Sequence, residues 1–427
     1  MRTDARASSS DFYSASEPQL VTDRQVSGTA ALGPSLAPQP RAAARRKRLR
    51  LWWREASGSV GDLGVLIPIA VALIVSNGLS PTAVFLPAGL LYLAVAAYYR
   101  VPVAVQPLKA FGAVAIAAGL GADVIAAGAL IMGATFLVLG FRDWLDRIAA
   151  LFPVAVVRGI QLSVGLLFAK IAWGLVTNPQ PSFTHQPTAP ALLIIAVIVF
   201  VILLLLRRHV VLVVVLAAVA VAAVASGGLI VGGPSPLMLP QLTWNSFELA
   251  AVLLVLPQLP LTFANSCVAP ASAARQYFGS AGQRVTPARL ARTLGTANLV
   301  AGAISGMPIC HGAGGMSAHY AFGARTWRAP FVIGTALVVT ALAAGASLAA
   351  ILPAFPLPVL AALLAVAAVM HVLLLRDLRG VGPWVVAIVV GVLGLVWNLA
   401  IALVIGLALA GLFAALAKFA ARWQSPR

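Results

Sequence analysis

The sequence predicts an all-α polytopic membrane protein built as two inverted repeats of seven spans, with two half-helices meeting at the midplane. Three observations lead there. Of the 427 residues, 61% are hydrophobic and 9% charged, against about 25% charged in soluble globular domains. Apolar stretches such as 191–206 with its flanks and 210–225 approach the ~20 residues that a helix needs to cross a bilayer. Lys and Arg recur on every second connection between those stretches and are missing from the others. The apolar segments are continuous rather than alternating, which excludes a β-barrel.

Residues 1–50 are expected to form a disordered, basic cytoplasmic tail. As far as Gln39 the composition is Ser, Ala, Pro and Gly without the apolar run of a signal peptide. About fourteen spans follow, near 58–77, 81–98, 103–119, 123–140, 153–176, 190–206, 209–227, 248–269, 286–304, 307–323, 329–352, 356–375, 382–397 and 399–418. They fall into a first repeat (51–227), an outer loop (228–247) and a second repeat (248–427).

The loop charges test this layout. With the Arg-rich stretch 41–54 inside, the other inner connections carry Arg100, Arg142 and Arg147, Arg207 and Arg208, Arg275 to Arg289, Arg325 and Arg328, Arg376 and Arg379, then Lys418 and Arg422. The intervening connections, near Asn77, Gly121, 178–189, 228–247, 305, 353–355 and 398, hold neither Lys nor Arg. That asymmetry is what positive-inside orientation produces, and a miscounted span would scramble it. Both termini are therefore expected on the cytoplasmic side of a cell membrane. Little chain follows the last span, so no soluble C-terminal domain is expected.

The same charges dispose of other readings. A net charge of +18 suggests nucleic acid, but the basic residues are scattered and form no contiguous face. Cys267 and Cys310 both lie inside expected spans and give neither a disulfide framework nor metal-ligand spacing. The five histidines, His185, His209, His311, His319 and His371, are dispersed, which argues against a membrane enzyme with clustered acid–base or metal chemistry. No cofactor, no metal and no nucleic-acid partner is expected.

Seven spans in each half make the second half enter the membrane from the opposite side, an inverted repeat. Corresponding segments show it: "GDLGVLIP" (61–68) answers "LPQLPLTFANS" (256–266), and "VPVAVQPLKAFGA" (101–113) answers "MPICHGAGGMSA" (307–318). Paired broken segments in the two halves point to a transporter's binding site. In the third segment, Pro102 and Pro107 bracket β-branched residues that favour extended chain, and Pro107 suits the first position of a helix. In the tenth, 308–310 is the extended piece and a half-helix starts near His311–Gly312. Gly312, Gly314 and Gly315 permit close backbone approach.

Two facing helix N-termini make a small anion site. Lys109, two residues into the first half-helix, adds a full positive charge. Gln106, Gln258, Thr262, Asn265, Ser266, Cys310 and His311 surround it with neutral groups. After the tail, the acids are Asp62, Asp123, Asp143, Asp146, Glu248 and Asp377, and Asp62 alone lies clearly within a span. Such a site suits a compact oxyanion better than a cation.

Each residue also has a structural reading. Lys109 can snorkel to the cytoplasmic face, although its place beside a helix break favours a site role. Lys170 reads as an interfacial anchor, Arg158 as an anchor or a site residue. The tenth-segment glycines serve helix packing or ligand contact, and both readings stand. His319 and His371 read as structural. Asp62 reads as a capping or pairing group, or as a proton relay.

"GDLGVLIPI" (61–69), "VPVAVQPLKAFGAVAIA" (101–117), "PQLPLTFANS" (257–266) and "MPICHGAGGMSAHYAFGAR" (307–325) resemble the molybdate transporter type 1 family, a branch of the sulfate permease superfamily. The resemblance runs from about Gly58 to the C-terminus. It implies a core domain (spans 1–4 and 8–11) moving against a gate domain (spans 5–7 and 12–14), with substrate between the half-helices. It implies molybdate as substrate, with sulfate or tungstate as competitors, and no cytoplasmic STAS domain. Gln106, Pro107 and Lys109 carry over from the first motif, and Pro308, Cys310, His311, Gly312, Gly314 and Gly315 from the second. Proton symport is expected because a dianion entering an inside-negative cell works against about 2.3 kcal/mol per charge per 100 mV, and a homodimer is expected by analogy with the fold. A sulfate or bicarbonate carrier of the same fold and a polytopic membrane enzyme remain the alternatives at this point.

Overall fold

The computed structural model describes residues 51–60, 63–141, 144–149, 151–206, 210–228 and 232–424. The expected tail (1–50) and Asp62 lie outside the described residues. The elements that position the site are, in chain order, α1 (Leu63–Asn77), α2 (Pro81–Tyr98), β1 (Gln106–Pro107), α3 (Lys109–Ala117), α4 (Ala122–Gly140), α5 (Val154–Thr177), α6 (Ala189–Leu206) and α7 (Val210–Ala225). The second half repeats the order with α8 (Trp244–Arg284), then α9 (Pro287–Ala303), β2 (Ile309–Cys310), α10 (Ala313–Ala321), α11 (Arg328–Ile351), α12 (Leu357–Val372), α13 (Val381–Val396) and α14 (Leu399–Gln424).

Local chemistry sets these boundaries. Pro81 and Pro287 start α2 and α9, where the missing N–H is one the helix does not use. Thr286 caps α9 by accepting from the Arg289 N–H at 3.3 Å, and Thr243 caps α8 by accepting from the Ser246 N–H at 3.2 Å. Inside α8 the helix widens into π turns at Ala250–Val255 and Thr262–Val268, on either side of the turn that carries Pro257 and Pro260. Each proline lacks the donor for the bond four residues back and crowds the carbonyl there, and π turns absorb the mismatch. The helix then runs on to Arg284, well past the expected end near 269.

Among the described residues, seven helices are long and apolar enough to cross a membrane, or eight if the helix Leu51–Ser59 and α1 form one bent span. Fourteen segments are reached only by adding three shorter apolar helices, the amphipathic α9 and the two half-helices. Large apolar side chains stay exposed along α6 and α7, such as Ile194, Ile198, Leu205, Val213, Leu216 and Val224. In water such a surface is unfavourable, and in lipid it is the required one.

The packing shows the two-fold relation between the halves. α2 packs on α11, and α4 on α9. Exchanging the halves converts one pair into the other. The same exchange turns the α5–α13 contact into α12–α6, and maps the α5–α12 contact onto itself. Glycine pairs mark the two equivalent crossings. A Cβ on Gly89 would stand 3.0 Å from the Gly334 O, and one on Gly334 would stand 3.0 Å from the Gly89 O. Gly133 and Gly295 repeat this, at 3.0 and 2.9 Å. Backbone-to-backbone contact of this kind is how helices associate in lipid, where apolar burial gives no drive.

These crossings predict a stability split. Gly295→Ala places a methyl 2.5 Å from the Leu137 N–H nitrogen, against unyielding backbone, and is expected to cost about 1–3 kcal/mol through overpacking, outweighing the ~1 kcal/mol gained in helix propensity. Gly411→Ala in α14, which meets nothing within 4 Å, is expected to leave the melting temperature in detergent unchanged or slightly raised. Equal melting of the two variants would overturn the assignment.

Candidate functional site

In each half the helix ladder stops for a short extended stretch and then restarts. β1 and β2 pair antiparallel, Gln106 opposite Cys310 and Pro107 opposite Ile309, and the Leu108 N–H donates to Pro308 O at 3.0 Å. Two-residue strands leave backbone groups that lipid cannot satisfy, so side chains complete the ladder. Asn298 of α9 is fully buried; its Oδ1 accepts from the Ile309 N–H at 2.8 Å and its Nδ2 donates to Ile309 O at 2.7 Å.

His311 holds the extended chain that leads into β1. Its Nδ1 lies 3.0 Å from Ala104 O, and a carbonyl only accepts, so Nδ1 carries the hydrogen. Nε2 is then an acceptor, for the Thr293 hydroxyl at 2.8 Å, which in turn accepts from Tyr99 at 2.9 Å. Both ring nitrogens are occupied by the scaffold, and the imidazole is wholly buried. His319 is likewise fixed, through Nδ1 to Gly58 O at 2.8 Å.

Two half-helices of nine residues start from this crossing. In α3 the first internal bond runs from the Gly112 N–H to Leu108 O, which leaves the amides of Lys109, Ala110 and Phe111 ahead of it. Phe111 N–H is taken by Gln258 Oε1 at 3.0 Å. In α10 the first bond is Met316 N–H to Gly312 O, leaving the amides of Ala313, Gly314 and Gly315. Lys109 is the first residue of α3, with Leu108 as the extended cap. Ala313 holds the equivalent place in α10.

A cavity of about 200 Å³ opens in front of these N-termini. Gln106, Lys109, Gln258, Asn265, Ser266, Cys310, Gly314 and Gly315 line it, so the structure brings these expected residues together. Spacings of three, seven and eight residues from Gln258 put Leu261, Asn265 and Ser266 on the same wall of α8. Pro107, Thr262, His311 and Gly312 lie outside the lining. Thr262 spends its hydroxyl on Gln258 O and accepts from Gln258 Nε2, both at 3.0 Å. A Cβ on Gly312 would stand 2.0 Å from Gln106 Oε1, so a side chain there would displace the end of Gln106. At Gly314 nothing lies within 4 Å of that position.

The opposite wall comes from α5 and α12 and was not anticipated. Gln161, Ala367, Met370 and His371 line it, with Leu374 just beyond α12. His371, expected to be structural, therefore belongs to the cavity. Gln161 Oε1 accepts from Arg158 at 2.8 Å, and Arg158 forms an ion pair with Asp377. Arg158 thus acts through Gln161 rather than on the cavity directly. Among the described residues no carboxylate lines the cavity, and Lys109 is its one fixed cation. A larger groove of about 460 Å³ between α2 and α9 contains none of the half-helix N-terminal residues.

The family model described as "Molybdate transporter of MFS superfamily" matches residues 54–168 and 250–371, stretches that hold every polar residue lining the cavity. The chain is 34% identical to molybdate transporter 1 of Arabidopsis thaliana, covering 82% of this chain and 86% of that protein. It is 29% identical to molybdate transporter 1 of Chlamydomonas reinhardtii, covering 89% and 96%. In fold it is similar to the transmembrane domain of the cyanobacterial bicarbonate transporter BicA (TM-score 0.60, 14% identity, 84% of this chain and 97% of that one). It is similar also to the inward-facing murine anion transporter Slc26a9 (TM-score 0.62, 16% identity, 94% and 77%).

The strand clamp predicts a stability effect distinct from any effect on ligand. Asn298→Ala leaves the Ile309 N–H and C=O without partners in the core, at about 1–3 kcal/mol for each group. Thermal melting in detergent is expected to drop strongly. A melting temperature equal to that of the unmodified protein would remove Asn298 from this role.

Proposed function

The chain belongs to the molybdate transporter family, and on that premise we propose that it imports molybdate across a cell membrane by alternating access. The observation that carries this reading is the composition of the cavity. Lys109 and the open amides of two half-helices converge on it, with no described carboxylate among them. A tetrahedral dianion presents oxygens to several donors at once, and charge-assisted bonds of this kind are the stronger ones. Glycines at the α10 terminus let those oxygens approach the backbone.

Alternating access follows from the two walls. One wall is built by α1, α3, α8, α10 and the strand crossing, the other by α5 and α12. Sliding one wall against the other exposes the bound ion to either side while the crossing keeps its geometry. The basic inner connections support cytoplasmic termini. Import of a dianion into an inside-negative cell works against about 2.3 kcal/mol per charge per 100 mV, and each co-transported proton offsets one of the two charges.

Uptake of labelled molybdate into proteoliposomes, competed with tungstate and sulfate, tests the reading. Saturable uptake that an inward proton gradient accelerates is expected. Lys109→Ala is expected to lower molybdate affinity by roughly 100-fold or more, since one charge at 4 Å in a protein environment is worth about 4 kcal/mol, while the variant keeps its elution profile and melting temperature. Clear transport of another solute without molybdate uptake would refute the assignment.

A further inference from the structure

We propose that His371 is the proton-carrying residue of the transport site, protonated together with binding of the dianion. This deepens the reading above and rests on it. The case is one of charge balance. A dianion in the cavity faces one fixed cation, Lys109. The half-helix N-termini add only partial charge, and each nine-residue helix ends about 13 Å away in an opposite partial charge. One full negative charge stays uncompensated in a low-dielectric site, which is costly.

The groups able to supply the missing charge are few. Among the described residues, the ionisable side chains lining the cavity are Lys109, Cys310 and His371. Cys310 ionises to an anion and has the wrong sign. Of the elements packed on α12, the described parts of α1, α6 and α7 carry no ionisable side chain. α5 contributes Arg158, already paired with Asp377, and Lys170, which lines a separate cavity with Ser76 and Asn178. Arg376 and Asp377 follow α12 outside the lining. His371 remains.

Its geometry suits the task. Nδ1 lies 2.8 Å from Ala367 O, one turn back on its own helix. The carbonyl accepts, so Nδ1 holds a hydrogen in both charge states and the proton enters and leaves at Nε2. Phe168 packs edge-on against the ring at 5.6 Å and fixes its plane. Protonation at Nε2 gives an imidazolium beside the dianion, and Lys109 and His371 together balance it. Without the anion, Lys109 in the same cavity opposes that proton. Proton and anion therefore bind as a pair, one proton per dianion, which is the condition for symport.

Purified protein in detergent tests this with molybdate as the probe. Proton uptake on binding is read by calorimetry in buffers of different ionisation enthalpy, and affinity is read against pH. The unmodified protein is expected to take up about one proton per molybdate, so affinity falls about tenfold per pH unit above the titration of the free imidazole. His371→Gln is expected to bind weakly, with no proton uptake and a flat profile. His371→Lys, a permanent cation, is expected to regain affinity with a flat profile, which a merely structural role would not produce. Proton uptake retained in His371→Gln would overturn the proposal and move the proton to another group, Asp62 being the first to examine. Pairing without proton uptake in the unmodified protein would overturn it too. Absence of any molybdate binding at every pH would instead remove the transport reading itself.

Discussion

The crossing of β1 and β2 is the constraint on which the rest depends. Extended backbone inside a membrane is tolerated only where protein satisfies its polar groups. Here four residues of strand are paired with each other and then clamped by Asn298 and the Tyr99–Thr293–His311 chain. Because the crossing is fixed, both half-helices start at one place, and residues of both N-termini line one cavity. The far end of α3 is also secured: Asn77 donates to Ala115 O and Leu120 O, each at 2.9 Å. A nine-residue helix has little stability of its own, so these clamps keep its dipole aimed.

The two-fold relation distributes roles unequally. Lys109 and Ala313 hold the same position at the start of their half-helices, yet one carries the charge and the other precedes open glycines. Symmetric packing supplies the frame, as the Gly89–Gly334 and Gly133–Gly295 crossings show, and the site departs from symmetry where the ligand needs charge on one side and space on the other. Gln258 ties the frame to the site. It caps Phe111 through Oε1 and engages Thr262 through Nε2, and so links the second π turn of α8 to the start of α3.

Much of this was legible in the sequence because the chain is punctuated there. Pro107, Pro308 and the glycines interrupt apolar runs, and an interruption inside a membrane needs a reason. The fold class and the convergence of Gln106, Lys109, Cys310 and Gly314 follow from such marks. Gln161 and His371 carry no mark. They sit in uninterrupted apolar helices, and only the packing of α5 and α12 across the half-helices turns them toward the cavity. His311 misled in the opposite direction: it stands in the most distinctive stretch, and its task is to hold Ala104 and Thr293. Sequence position gave its neighbourhood but not which way its ring nitrogens faced. Thr262 is a similar case, its hydroxyl engaged by Gln258.

The division of the cavity between two walls has an electrostatic consequence. The fixed donors and Lys109 stand on one wall, and the titratable imidazole and the Gln161 amide stand on the other. A dianion held by the first wall alone is short of one positive charge. The second wall supplies it only when the two are closed upon each other and His371 carries a proton. An empty cavity with a protonated His371 faces the opposite penalty, two cations together without an anion. In the proposed scheme closure is therefore favoured for the loaded site, whose charges sum to zero, over the site that holds either species alone. In this scheme coupling needs no dedicated gate residue. It follows from placing Lys109 and His371 on the two sides of a gap that a doubly charged ion fills at zero net charge when one proton accompanies it.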